Sequence, residues 1–141
     1  MTDEEPALGP IPSVWYAAFY GDEDRWWWDR ICAPGFRHVA AYTYYPGPGV
    51  WVLYDVTFNR TCIRVFSREE WMAWMQTLPG HARHVRVEIP DEPHARPWWL
   101  KLTFWCAPAV AHLMGIRSRA LRPEALYRDL VRHGALPAFE D

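Results

Sequence analysis

FRHVAAYTYYPGPGVWVLYDVTFNRTCIRVFS, residues 36–67, decides the fold because it contains three β-rich runs separated by two short connections. The first two runs, at 36–45 and 50–58, flank the sequence PGPG, whose Pro and Gly residues favour turns and interrupt strands. The third run, at 61–67, follows after a short polar connection. Connections this short join antiparallel neighbours, so the stretch predicts a three-stranded antiparallel meander.

The rest of the sequence predicts further strands and helices around this meander. Ser67-x-x-Glu70 fits a capping box at the start of a helix, and apolar residues then recur at helical spacing. The other predicted elements are strands at 13–20, 83–89 and 98–105, a short helix after Gly21, a helix at about 107–115 and a helix from Pro123 to a stop at Gly134. This order predicts an α+β fold, in which helices pack on an antiparallel sheet of about five to six strands.

Length, composition and charge limit the class of protein. The chain has 141 residues, half of them apolar and ten of them Trp, which suits a single domain at 13–141 after a flexible lead-in at 1–12. A net charge of −2 gives no electrostatic basis for binding nucleic acid. No apolar run approaches the roughly 20 residues of a membrane span, and the acidic, Pro-rich start does not resemble a signal peptide. We therefore expect a soluble protein.

Three cysteines at irregular spacing predict neither a disulfide framework nor a zinc site. Cys32 follows a predicted helix and Cys62 lies within a predicted strand, whereas Cys106 lies in LTFWCAPAVAHLMGI, where a strand-like run changes directly into a helix-like run. At the N-cap or in the first turn, unpaired N–H groups and the helix dipole face the sulfur and favour a thiolate. The same N–H groups can stabilise an oxyanion, so Cys106 is the candidate nucleophile.

A nucleophilic cysteine needs a base, and His38 is the candidate. Strand alternation places His38 on one face with Ala40 and Tyr42, where a histidine without a partner would be costly to bury. Asp55 interrupts the apolar run of the next strand. If the two strands pair through PGPG, Asp55 can orient His38, and Cys106, His38 and Asp55 become the nucleophile, base and orienting residue of a thiol hydrolase.

Each of these residues also has a structural interpretation. Cys106 could be a small buried apolar residue, His38 a core histidine with a satisfied ring, and Asp55 a strand-end residue that bonds a turn N–H. His84, in an alternating strand, is the reserve base.

The order of these motifs resembles that of the circularly permuted papain-like hydrolases, the permuted relatives of the NlpC-type peptidases, which include the lecithin:retinol acyltransferase-like proteins. FRHVAAY carries the His, VLYD the third residue and FWCAPAVAHLMGI the Cys, and the permuted branch has its His before its Cys. The resemblance covers roughly residues 13–134 and implies a permuted papain-like fold with cysteine hydrolase activity.

Two positions depart from the family pattern. Trp105 stands where the acyltransferase branch has a polar residue, and Asp55 stands where the third residue is often His. The first departure argues against an acyltransferase or thioesterase that acts on lipid. Together they leave open a domain that kept the fold and lost the activity.

GFRHV, the Cys helix ending in GI and the run RPEALYRDLVRHGA are also similar to small proteins from phage or prophage tail-gene regions. This similarity implies a peptide or cell-wall substrate, such as a peptidoglycan peptide, and a location in the host cytoplasm or in a virion. The alternative is an inactive structural or assembly component of a phage tail or neck, with other virion proteins as partners. Trp98, Trp99 and Trp105 would contact the substrate if they are exposed beside the site, and otherwise cover the sheet. Neither function calls for a metal or another cofactor.

Overall fold

The structure is a computed structural model that describes residues 12–21, 30–57, 59–89 and 105–139. Nearly all of the predicted lead-in at 1–12, most of the predicted helix after Gly21 and the predicted strand at 98–105 up to residue 104 lie outside the described residues.

Six strands and three helices are present among the described residues. They are β1 (Val14–Tyr20), β2 (His38–Tyr45), β3 (Val50–Val56), β4 (Thr61–Phe66), α1 (Arg68–Thr77), β5 (Arg83–Glu88), α2 (Cys106–Leu113), α3 (Pro123–Arg132) and β6 (Leu136–Pro137). The strands form one sheet in the order β4-β3-β2-β1-β5-β6, with antiparallel pairing throughout. The predicted α+β class and the predicted meander, which is β2-β3-β4, are both confirmed.

The sheet separates two hydrophobic layers, because alternate residues of its central strands point to opposite faces. On the first face, Phe19 and Val39 pack with buried residues of α2 and α3. On the second face, Tyr42 and Leu53 pack with Trp71 of α1. The helices therefore lie on both sides of the sheet, with α2 packed mainly on β2.

The start of α1 follows the predicted capping box. The Ser67 hydroxyl accepts a hydrogen bond from the Glu70 N–H, and the Glu70 carboxylate accepts one from the Ser67 N–H at 2.7 Å. This cap fixes where the helix leaves β4, and it directs Trp71 into the second layer. There the Trp71 ring stacks on the Trp51 ring, with their centroids 4.6 Å apart.

Two elements differ from the sequence-based expectation. The helix expected at about 107–115 begins at Cys106 and ends at Leu113, so the cysteine is its first residue and Trp105 its N-cap. The short edge strand β6 was not predicted, since two residues that include a proline have no recognisable periodicity. Gly134 stops α3 with φ of 90°, a conformation that glycine adopts readily, and the chain then returns to pair with β5.

Candidate active site

The candidate site lies at the end of the sheet where β1 ends and β2 begins. His38 is the first residue of β2, and its cross-strand partner is Tyr20, the last residue of β1. Asp55 lies near the end of β3, on the face of the sheet that also carries Leu53 and Tyr42. The N-terminus of α2 brings Cys106 to this end of the sheet, where its side chain interacts with His38.

His38 and Asp55 form a short hydrogen bond. The distance from His38 Nε2 to Asp55 Oδ1 is 2.6 Å, and the two side chains are 24% and 28% exposed. Charge-assisted hydrogen bonds are shorter and stronger than neutral ones, and partial burial protects this one from solvent screening. Pairing of β2 with β3 through the predicted turn thus places the carboxylate beside the imidazole, in the position of an orienting group.

Cys106 is the second partner of His38. The sulfur interacts with the imidazole through a side-chain hydrogen bond and through charge. Because Asp55 already bonds Nε2, Nδ1 is the ring nitrogen left for the sulfur. Cys106 itself is only 6% exposed and packs in the first hydrophobic layer, so α2 holds its position firmly.

The surroundings of His38 favour its charged form. Burial lowers the pKa of His38, but the hydrogen bonds to Asp55 and Cys106 and the charge interactions with both groups outweigh burial and raise this pKa to about 10. At neutral pH the ring therefore carries a proton on each nitrogen and donates from Nε2 to Asp55. An imidazolium beside a cysteine is the arrangement that stabilises a thiolate.

Tyr20 is a site residue that the sequence analysis missed. Its ring lies edge-on to the His38 ring, with the centroids 5.4 Å apart. Burial raises the pKa of the Tyr20 phenol, and the charges of Asp55 and Cys106 raise it further. The phenol therefore stays neutral at neutral pH. Its position opposite His38 depends on the register between β1 and β2, which no local sequence signal specifies.

The first turn of α2 has few free amides. Pro108 has no N–H, and the Ala109 N–H donates to the Trp105 carbonyl at 3.2 Å. Helix geometry thus leaves the N–H groups of Cys106 and Ala107 as the backbone donors of this turn. A proline here costs the helix no hydrogen bond, but it removes one donor from a candidate oxyanion site.

The predicted substrate-contacting tryptophans fall into two groups. Trp98 and Trp99 lie outside the described residues. Trp105 is half-buried and its indole Nε1 donates to the Leu121 carbonyl at 2.9 Å, which fixes the ring to the segment before α3. Its contact with a substrate stays a prediction.

The alternative residues lie in different surroundings. Cys32 is buried, and Cys62 lies on β4 directly opposite Asp55. The reserve base, His84, bonds the Tyr42 hydroxyl through Nδ1 at 2.8 Å, and burial lowers its pKa. His84 therefore sits beside a neutral phenol rather than a carboxylate, and the described part of the chain offers His38 as the better base.

No group of three or more His, Cys, Asp or Glu side chains within the described ranges is arranged to hold a metal ion. None of the helices in the described part of the chain has both the length and the apolar character needed to cross a bilayer.

A comparison of the chain with protein-family models, curated proteins and solved structures found no match.

Proposed function

We propose that this protein is a thiol-dependent hydrolase that cleaves an amide or ester bond, with a site of the permuted papain-like kind. The observation that carries the proposal is the position of His38, which engages Asp55 on one side and Cys106 on the other. A nucleophile, an acid–base group and an orienting carboxylate in contact are the groups that covalent acyl transfer requires. Cys106 adds the start of a helix, where the dipole favours negative charge.

The first half of the reaction acylates the sulfur. The Cys106 thiolate attacks the carbonyl carbon, and the electron pair of the C=O bond moves to the oxygen, which the Cys106 and Ala107 N–H groups can bind. The tetrahedral intermediate collapses, the bond to the leaving group breaks, and His38 donates its Nδ1 proton to that group. Asp55 holds the ring throughout, so the proton leaves from a fixed position.

The second half of the reaction follows from the same electrostatics. The interaction with the Cys106 sulfur helps to keep the pKa of His38 high, and acylation of the sulfur removes that interaction. The pKa of His38 then falls, and the ring that acted as an acid can accept a proton from water. The resulting hydroxide attacks the thioester, and the thiolate leaves with its ion pair restored.

Within this proposal the substrate is a peptide, with a peptidoglycan peptide as the form implied by the resemblance to phage tail-region proteins.

One observation favours the second candidate, an inactive assembly component. β4 is an edge strand of the sheet that the described residues form, and Ile63 and Val65 on it are 66% and 61% exposed. Exposed apolar edge strands are typical sites of protein association.

Alkylation kinetics separate the two candidates. In a Cys32→Ser/Cys62→Ser background, iodoacetamide reports on Cys106 alone, and N-acetylcysteine is the reference. At pH 6 a free thiol is less than about 1% thiolate, so a sulfur held as a thiolate should react about 10-fold faster or more. His38→Gln should remove the rate enhancement. His112→Gln, at an exposed position on the same helix as Cys106, should keep it. Reaction no faster than the reference would end the hydrolase proposal.

A further inference from the structure

The strand β4 has one side of its backbone without a neighbour in the sheet that the described residues form. Its other side pairs with β3 in antiparallel register. The Thr57 N–H donates to the Arg60 carbonyl at 2.9 Å, so the hairpin between β3 and β4 closes on a hydrogen-bonded pair. Hydrogen-bonded and non-hydrogen-bonded pairs then alternate along the strands. The backbone groups of the even-numbered residues of β4 therefore point to β3, and those of the odd-numbered residues point away from the sheet: Thr61, Ile63 and Val65.

The side chains of this free edge are apolar on one face of the sheet. Ile63 and Val65 are exposed, and their cross-strand partners on β3 are Tyr54 and Val52. Tyr54 packs against the first hydrophobic layer, so Ile63 and Val65 continue that apolar surface to the edge of the sheet. Exposed apolar side chains beside outward-pointing N–H and C=O groups form a template for the addition of another strand.

The sequence of β4 fits a second copy of itself. When two such strands run antiparallel about a two-fold axis at Ile63, this residue faces the partner's Ile63, and Val65 faces the partner's Thr61. Every outward-pointing residue is then opposite another outward-pointing residue, and the two strands can form about six hydrogen bonds. The facing side chains are all β-branched, and such side chains pack well across a strand pair.

The charge on β4 selects this register. Arg64 is the charged residue of the strand, and its guanidinium lies over the Phe66 ring of its own chain, 4.9 Å from the ring centroid. With the axis at Ile63, Arg64 faces the partner's Cys62. A shift of the axis to Arg64 would place two arginines directly opposite each other, which is destabilising.

The opposite edge of the sheet is a poor partner for β4. There β6 consists of two residues, one of them Pro137, which has no N–H to donate. Pairing of β4 with the partner's β6 would form few hydrogen bonds and would give an open chain of molecules. Pairing of β4 with the partner's β4 closes a two-fold dimer.

We propose that two copies of this chain associate through β4 in a symmetric dimer with one antiparallel sheet continuous across both. The proposal is independent of the hydrolase function and gives the exposed edge strand one occupant. Two six-residue strands bury less surface than a standard interface, so we expect a reversible dimer whose population rises with concentration.

Sedimentation of the full chain over a range of concentrations tests the association. Ile63→Lys places two positive charges directly opposite each other and should abolish the dimer. Val131→Lys, at an exposed apolar position on α3, is the matched control and should keep it. An equimolar mixture of Ile63→Lys and Ile63→Glu should restore the dimer, because the facing charges are then opposite in sign.

A single introduced cysteine tests the register in a Cys32→Ser/Cys62→Ser/Cys106→Ser background. Facing residues of a hydrogen-bonded pair have Cα atoms about 5.5 Å apart, which is within the reach of a disulfide. Mild oxidation should therefore cross-link Ile63→Cys into dimers. Val65→Cys is similarly exposed on the same strand, but its copy would lie about 13 Å further along the partner strand, so this variant should stay uncross-linked.

Several outcomes would overturn the proposal. A chain that is monomeric at every concentration would leave β4 to a different protein, and a dimer that survives Ile63→Lys would use another surface. Open assemblies larger than a dimer would mean that the edges pair head to tail. Equal cross-linking of the two cysteine variants would indicate random collision. Should Ile63→Lys lose the thermal transition of wild type, the comparison of Ile63→Cys with Val65→Cys decides.

Discussion

Replacing His38 with Gln should change the pH dependence of stability in a direction set by the two partners of His38. In the folded protein the pKa of His38 is raised to about 10, against 6.5 for an unperturbed histidine. Below pH 6.5 the ring is protonated in both the folded and the unfolded state, so the full stabilisation from Asp55 and Cys106 is present. As the pH rises through this window the unfolded state releases the proton while the folded state keeps it, and the contribution is lost by about pH 10.

The size of the effect follows from the width of the window. One pH unit across it removes about 1.4 kcal/mol of unfolding free energy. The window spans about 3.5 pH units between the two pKa values, so the loss is at most on the order of 5 kcal/mol. Small domains have unfolding free energies of about 5–15 kcal/mol, so even half of the expected loss would be easily measured.

Urea unfolding at pH 6, 8 and 10, followed by tryptophan fluorescence, measures the effect. Other groups titrate in the same range, but those that do not contact His38 contribute similarly to wild type and to the variant, so the difference between the two curves reports on His38 and its two partners. The stability advantage of wild type over His38→Gln should be largest at pH 6 and smallest at pH 10. His112→Gln provides the control and should follow wild type at all three values. Parallel curves for wild type and His38→Gln, or an advantage that grows with pH, would refute the electrostatic account of the site.

Three further substitutions test other parts of the structure. Asp55→Asn removes a charge that raises the pKa of His38, so the alkaline limb of the pH–rate profile for acylation should move to lower pH. Acylation should also slow by about 10²-fold or more. An unshifted limb would mean that Asp55 does not control the pKa of His38. Trp71→Ala should cost about 3–5 kcal/mol in urea unfolding, because Trp71 is 3% exposed and stacks on Trp51, and a loss under 1 kcal/mol would contradict that packing. Ser67→Ala should cost about 1 kcal/mol by removal of the α1 cap, with Ser67→Asp as the variant that keeps it.

Much of the fold could be predicted because its elements have strong local signals. The PGPG turn and the three β-rich runs specify the meander, and Ser67 with Glu70 specifies the start of α1. The contact between His38 and Asp55 follows from strand alternation once β2 and β3 are paired. Each of these predictions needed only residues close in sequence or a single hairpin pairing.

Tyr20 could not be predicted in the same way. It ends VWYAAFY, a run of apolar and aromatic residues that has no polar alternation to distinguish one face from the other. The face it occupies depends on pairing of β1 with β2 across a long connection, a register that the whole sheet determines. β6 was missed for the opposite reason, because it consists of two residues that pair with β5 only after α3 has returned the chain.

The two histidines on the second face of the sheet have different partners. His84 meets a phenol, and burial lowers its pKa, so the core keeps that ring neutral at little electrostatic cost. His38 instead meets Asp55 and Cys106, which raise its pKa and keep it charged. A partly buried charge is costly to desolvate. Replacing a buried ion pair with apolar residues of similar volume often leaves a protein as stable as before or more stable. The Tyr42–His84 pair shows that this fold holds a histidine without charge, so packing alone does not explain the charged arrangement around His38, and the proposed nucleophilic role of Cys106 would account for it.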